Sequence, residues 1–194
     1  MEHEASQYMT STLNSARLIL RPWRDDDLDD LARLCADPEV MAHFPAPLDR
    51  AGSETLLRRL QAHQDEHGFT FWYLQRQDDG EFVGFTGLAR VGFAARFTPA
   101  VEIGWRLARS CWGLGYAREA AQQALHHAFT TLALDEVVAF TTPANRRSWG
   151  LMERLGMRRD GGFEHPGLPS GHPLRAHLLY RLERARWAEQ ALSP

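Results

Sequence analysis

Cysteine is nearly absent: the 194 residues hold two, Cys35 and Cys111. Two thiols so far apart in sequence do not make the disulfide framework of a small secreted protein. No Cys/His spacing typical of a zinc site occurs. No apolar stretch approaches the ~20 residues of a membrane span. The opening Met1-Glu2-His3-Glu4 lacks the basic and apolar regions of a signal peptide. Together these absences predict a cytoplasmic protein without membrane attachment. Excess positive charge is missing too: 22 Lys and Arg face 25 Asp and Glu, a net charge of −3. That gives no general reason to expect nucleic-acid binding, though a basic peptide or protein stays open as a partner. There is no internal repeat and no low-complexity linker.

What is present suits one packed domain. Hydrophobic residues make up 44% and charged residues 24%, ordinary values for a globular chain of a length that buries a sizeable core. A loose N-terminal arm is expected over 1–14, a single domain over 15–183 and a charged tail over 184–194.

The hydrophobic period divides that domain. Arg17 to Arg21 alternates in part and stops at Pro22, as a first strand would. Asp25, Asp26 and Asp27 precede Leu28, Leu31 and Leu34, which signals a helix start. Asp37-Pro38 ends that helix. Val40 to Pro47 reads as turn and loop. Ser53 is expected to cap a second helix with Leu56, Leu57 and Leu60 on its buried face, closed by Gly68. Thr70 to Leu74 and Glu81 to Gly92 read as an antiparallel hairpin around Asp78-Asp79-Gly80, with Trp72 and Tyr73 in the core. Val101 to Leu107 is the next strand.

A helix follows from about Gly115. It places Ala117, Ala120, Ala121, Ala124, Ala128 and Phe129 on one face. Glu136 to Thr141 completes a βαβ unit, so its strand should lie parallel beside 101–107. A helix over Asn145 to Leu155 and a strand over Arg175 to Leu182 finish the domain. The class is α/β with a mixed sheet.

The most informative segment joins that strand to that helix: Trp112-Gly113-Leu114-Gly115-Tyr116-Ala117. Glycines let backbone approach a ligand closely. The first helical N–H groups have no intrahelical partner, and the helix dipole adds roughly half a positive charge. A pyrophosphate suits such a place. The loop is neither GxGxxG nor GxxxxGK[ST], so a generic nucleotide fold is a weak reading.

This order, and two motifs within it, resemble the GNAT superfamily of acetyl-CoA-dependent N-acetyltransferases over about residues 17–182. The branch it looks like is the RimJ/RimL type, which acetylates ribosomal-protein N-termini. The family's loop reads Gln/Arg-x-x-Gly-x-Gly/Ala. Trp112, Gly115 and Ala117 hold the matching positions, and Trp112 departs from the general pattern while resembling the branch. The departure removes one polar side chain and leaves the backbone cradle. The second motif is Asn145-Arg146-Arg147-Ser148 followed by Leu151-Met152-Glu153-Arg154-Leu155-Gly156-Met157. It is similar to the family's Asn-x-x-Ser and apolar-Glu-Lys-Leu-Gly-Phe. A softer match is the start, Leu18 to Trp23 with Asp26-Asp27-Leu28 and Asp37 to Met41.

The resemblance implies a mostly antiparallel central sheet flanked by helices, with a splayed parallel strand pair holding acetyl-CoA. Trp112, Gly113, Leu114, Gly115, Tyr116 and Ala117 would bind its pyrophosphate. The backbone of Ile103, Trp105 and Leu107 would bond the pantetheine amides like an added strand. Asn145 would bond the same arm, and Ser148 would lie near the thioester sulfur. Asn145 also suits a plain N-cap and Ser148 a plain first-turn position. A backbone N–H near Ile103 or Gly104 would polarise the carbonyl, with a bulge at Gly104. Glu102 is the candidate base or water-orienting group, weighed equally against an ordinary sheet-face charge. The implied acceptor is a primary amine such as a protein N-terminus, and the implied assembly a monomer or a homodimer. No metal is expected.

Other residues carry less. His165, His172 and His177 fall in a Gly/Pro-rich stretch, over the substrate or in solvent. His63 and His67 are spaced i, i+4 without HExxH, which favours a solvated face. His126 and His127 read as structural. Cys111 lacks a partnered histidine for a nucleophilic role. Arg146 and Arg147 face coenzyme A phosphates or water. Phe44, Pro45, Phe93 and Phe97 are candidates for the acceptor side, and the stretch from Gly161 to Pro173 for choosing the substrate. Two other functions compete with the peptide N-acetyltransferase: acetylation of a small amine on the same fold, and a non-catalytic acyl-CoA sensor.

Overall fold

A computed structural model describes residues 12–191. Most of the expected arm therefore lies outside the described residues. Its last part, Leu13–Asn14, forms a two-residue strand, β1. The chain continues through β2 (Leu18–Arg21), α1 (Leu28–Ala36), α2 (Arg50–His67), β3 (Phe71–Arg76), β4 (Phe82–Arg90) and β5 (Val101–Leu107). Then come α3 (Tyr116–His126), β6 (Glu136–Thr141), α4 (Arg146–Arg154), β7 (Arg158–Glu164), β8 (Ala176–Glu183) and α5 (Arg184–Ala191). The strands form one sheet in the order β1-β2-β3-β4-β5-β6-β8-β7. All neighbours are antiparallel except β5 and β6, which are parallel, as a βαβ crossover requires.

The sheet's two faces carry different covers. On the first, Ile103 and Leu107 of β5 and Val137 and Ala139 of β6 pack under α3 and α4. The helix can lie that close because Ala120, Ala121, Ala124 and Ala128 are fully buried, each presenting a single methyl group. On the second face, α1 and α2 cover Trp23, Tyr73 and Phe85. Farther along that face, Val138 and Leu179 sit beneath Phe97, with Phe93, Phe140 and Phe163 packed around them. Glu102, Gly104 and Arg106 alternate with Ile103 and Leu107, so they belong to the second face, between these two covers.

Four local expectations are corrected. Asp49, not Ser53, caps α2: its carboxylate accepts from Gly52 N at 2.7 Å. Ser53 lies a turn inside, buried, its hydroxyl donating to the Asp49 carbonyl at 2.9 Å. The sheet has an edge strand, β7, where no strand is expected. Its sequence, Arg158-Arg159-Asp160-Gly161-Gly162-Phe163-Glu164, is charged and glycine-rich, the composition of a protected edge. The β4–β5 register runs without a shift through Gly104, so no bulge forms there. The expected tail begins as α5, whose Trp187 packs on Phe129 with ring centroids 5.2 Å apart.

Candidate active site

The β5–β6 pair holds together at one register position, Glu102 with Val138, and opens beyond it. The β4–β5 ladder fixes which backbone groups face the opening. Val91 N donates to the Ala100 carbonyl and Ala108 N to the Val83 carbonyl. Alternation along an antiparallel ladder then commits Glu102, Gly104 and Arg106 to β4. Ile103, Trp105 and Leu107 turn their N–H and C=O groups toward β6. Ile103 lies beside the one remaining pair, and the Leu107 carbonyl accepts the Trp112 indole N–H at 2.9 Å. Trp105 therefore offers the first backbone N–H in the open stretch. Gly104, one of the two expected donors, is directed to β4 instead. Across the opening, His43 Nδ1 stands 3.3 Å from Thr142 Oγ1, joining the α1–α2 loop to the end of β6.

The glycine loop leads from β5 into α3. Gly113 and Gly115 have φ of 76° and 85°, conformations that favour glycine. A Cβ on Gly113 would meet no atom of the described residues within 4 Å beyond its chain neighbours. Among the described residues, the N–H groups of Gly113, Leu114 and Gly115 donate to no protein acceptor. Open space, free donors and the α3 N-terminus together fit an oxyanion such as a pyrophosphate. Trp112 does not aim a polar group here. Its indole is spent on the Leu107 carbonyl, its ring packs on both large core clusters, and Arg147 of α4 stacks 4.8 Å from it.

Sequence reasoning missed the residue that secures this loop. Arg17 donates from Nη1 to the Leu114 carbonyl at 3.0 Å and from Nε to Glu119 Oε2 at 2.7 Å. Its guanidinium lies 4.5 Å from the Tyr116 ring centroid. Nothing local in sequence could link it to the loop.

At the start of α4, Asn145 does what its capping role predicts. Its Oδ1 accepts from Ser148 N at 3.3 Å, and its Nδ2 donates to Thr141 Oγ1 at 3.0 Å. The cap ties the end of β6 to α4. Ser148 is half-buried, and its hydroxyl has no hydrogen bond among the described residues.

Glu102 is half-buried on the second face. Burial pushes its carboxyl up to about 8, opposed by the charge of Arg59. A carboxyl poised there exchanges a proton near neutral pH, which a surface glutamate does not. Arg106, two positions beyond Gly104, lies 4.0 Å from the Phe44 ring and 5.1 Å from Phe85. Phe44, 38% exposed, thus borders this face, and Phe93 and Phe97 lie at its far side. Phe163, His165 and His177 join them, the two imidazoles 5.2 Å apart.

The remaining candidates stand elsewhere. His63 uses both nitrogens, Nδ1 toward the Phe69 carbonyl at 2.7 Å and Nε2 accepting from Arg90 N at 3.0 Å. It links α2 to the end of β4 and is not a solvated residue. His127 is buried against Trp72, and His126 is exposed beside Trp187. Cys111 is buried, its sulfur 3.8 Å from Ser110 Oγ. No group of three potential metal ligands converges among the described residues, and no described helix is long and apolar enough to cross a membrane.

The chain belongs to the GNAT acetyltransferases: residues 17–158 match the acetyltransferase (GNAT) domain model. It is 30% identical over 142 residues to the uncharacterized protein YkkB of Bacillus subtilis, covering 73% of this chain and 81% of that one. It is 29% identical over 189 residues to the FsC-acetyl coenzyme A-N(2)-transacetylase of Aspergillus fumigatus, covering 91% and 77%. In fold it is similar to Mycobacterium smegmatis RimJ, solved with CoA-disulfide. The TM-score is 0.74 at 24% identity, over 96% of this chain and 91% of that one. The protein is therefore an N-acetyltransferase of this family.

Proposed function

We propose that the protein moves an acetyl group from acetyl-CoA to a primary amine, a protein or peptide N-terminal α-amine, by direct attack on the thioester. The observation that carries this reading is the opening between β5 and β6, which ends at the glycine cradle on one side and at Glu102 on the other. Acetyl-CoA supplies the activated acetyl group. The chain supplies binding, orientation and proton handling.

In this reading Gly113, Leu114, Gly115, Tyr116 and Ala117 hold the pyrophosphate with backbone N–H groups, and Trp112 braces the loop from behind. The β5 edge at Ile103, Trp105 and Leu107, open at Trp105, guides the pantetheine arm together with Asn145. The Trp105 N–H polarises the thioester carbonyl as negative charge develops. Ser148 Oγ hydrogen-bonds the departing sulfur. Glu102 accepts the proton that the amine releases, directly or through water. Positioning a neutral amine against the carbonyl supplies much of the remaining acceleration.

A small-molecule acceptor is the second reading. It is favoured by the Aspergillus relative, whose name gives acetyl coenzyme A and an N(2) nitrogen. Thiol release from acetyl-CoA, measured against N-terminal peptides and small amines, separates the two. Turnover confined to peptides is expected. Turnover confined to small amines selects the second reading. Coenzyme A binding without turnover on either panel overturns the peptide assignment.

A further inference from the structure

Arg106 is the one enclosed arginine of the central sheet that forms no ion pair among the described residues. Arg21 stands 2.7 Å from Asp27, and Arg181 stands 2.9 Å from Asp160 and also pairs with Glu136. Among the described residues Arg106 has one polar contact, from Nη1 to Cys35 Sγ at 3.2 Å, and its enclosed Nε donates to none of them. Phe44 and Phe85 hold the guanidinium by its ring contacts. Burial holds its pKa below the ordinary arginine value, Cys35 opposes that shift, and Arg59, a charge of the same sign, adds to it. Enclosing a cation without a partner costs stability, so an unpaired one marks a place where a ligand supplies the counter-charge.

The location says which ligand. Arg106 shares the second face with Glu102, separated from it by Gly104 and by about 13 Å of extended strand. Between them, the Phe71 ring lies over Gly104, where a Cβ would come within 3.0 Å of it. The glycine loop and α3 belong to the opposite face, with Tyr116 and Ala120 in the cluster that holds Ile103 and Leu107. The phosphates of coenzyme A are therefore met on the other side of the sheet. We infer that Arg106 receives a carboxylate of the acceptor, so the preferred substrate is an amine carrying an acidic group within about two residues' reach of its nitrogen. The inference rests on the proposed acetyl transfer and adds the acceptor's charge to it. Arg106 here is a specificity-determining residue, and a guanidinium suits the task because its fork matches a carboxylate.

Matched acceptors test this. One pair is Ser-Glu-Ala-Ala-amide against Ser-Gln-Ala-Ala-amide, the other 5-aminopentanoate against pentylamine. The wild type should favour an acidic member about tenfold or more in kcat/KM. Arg106→Met should abolish that preference, and Arg106→Lys should keep part of it. Because the methionine removes an unpaired enclosed charge, its melting temperature should be no lower than wild type. Its coenzyme A affinity by calorimetry should not change. Equal use of acidic and neutral acceptors by the wild type overturns the inference. So does an R106M protein that loses coenzyme A affinity, or that melts far lower while keeping the preference. Glutarate, as a probe anion at millimolar concentration, gives a readout independent of turnover. It should raise the melting temperature of wild type and not of R106M. Glutarate stabilisation without acetyl transfer would leave the anion site standing and remove the transferase reading. Acetyl transfer without glutarate stabilisation or acidic preference would do the reverse.

Discussion

Arg17 and Glu119, 102 positions apart, are joined twice: Arg17 N donates to Glu119 Oε1 at 2.7 Å and Arg17 Nε to Oε2 at 2.7 Å. Ser15 Oγ adds a third donor to Oε1 at 2.7 Å. The start of β2 is thereby fastened to the first turn of α3, and the same guanidinium reaches the Leu114 carbonyl in the loop. Arg17→Ala should loosen the loop more than the fold. Its side chain is 47% exposed, so the ion pair itself contributes at most about 1 kcal/mol. The expected result is a coenzyme A dissociation constant raised roughly three- to tenfold with a small fall in melting temperature, since preorganisation carries part of the affinity. Calorimetry and thermal melting check both, and unchanged affinity would remove Arg17 from the binding machinery.

Gly113 and Gly84 make a paired test of what glycine does in this chain. Both have positive φ, so alanine is strained by about 1–2 kcal/mol at Gly113, near the left-handed region, and by about 1–3 kcal/mol at Gly84, whose φ of 140° lies beyond it. At Gly113 the added methyl meets open space, and at Gly84 it would stand 2.3 Å from the Arg106 carbonyl oxygen. Gly113→Ala should fold and lose coenzyme A affinity. Gly84→Ala should fail to fold or melt far lower, because two backbones would have to part. A G113A protein that binds coenzyme A like wild type would show that the cradle is not the phosphate site.

The order of elements from β2 to α4 was legible because each carries a clear period or boundary residue. The alternation of Leu18 and Leu20, the alanine stripe of α3 and Asn145 before α4 all act locally. The same holds for the candidate site's loop, whose glycines and following helix are contiguous. What escaped is non-local. Arg17 reaches Leu114, Cys35 meets Arg106, and His63 bonds Arg90 N, all contacts made only when distant segments pack. Strand β7 escaped for another reason: an exposed edge strand needs no apolar alternation. At Gly104 the glycine suggested a bulge, whereas its service is to leave room for the Phe71 ring.

Asn145 and Ser148 should separate by what they disturb. Asn145→Ala removes a cap and the bond to Thr141, so stability should fall by about 1 kcal/mol along with activity. Ser148→Ala removes a hydroxyl with no hydrogen-bond partner among the described residues. Its melting temperature should match wild type while kcat falls about tenfold or more and KM for acetyl-CoA holds. A rise in KM with kcat unchanged would place Ser148 in binding instead of the transfer step.

Glu102 links pH to both activity and stability. Its carboxyl, pushed up to about 8 by burial, carries a proton in the folded protein at pH values where the unfolded chain has already lost it. The folded state therefore binds more protons between the ordinary glutamate pKa and about 8, and stability falls as pH rises through that window. Glu102→Gln removes the penalty. Its stability should match wild type near pH 4 and exceed it near pH 9, by on the order of 2–4 kcal/mol after allowing for the side chain's open edge. For activity the sign is opposite, because a base must be ionised: wild-type kcat/KM should rise with pH to a plateau above about 8. An α-amine acceptor loses its own proton in the same range, so the acceptor must be weakly basic and already neutral at pH 6. With such an acceptor the rise reports the enzyme, and E102Q should lose it together with about 100-fold or more of kcat/KM. If the rise survives in E102Q, another group takes the proton and Glu102 is a sheet-face charge.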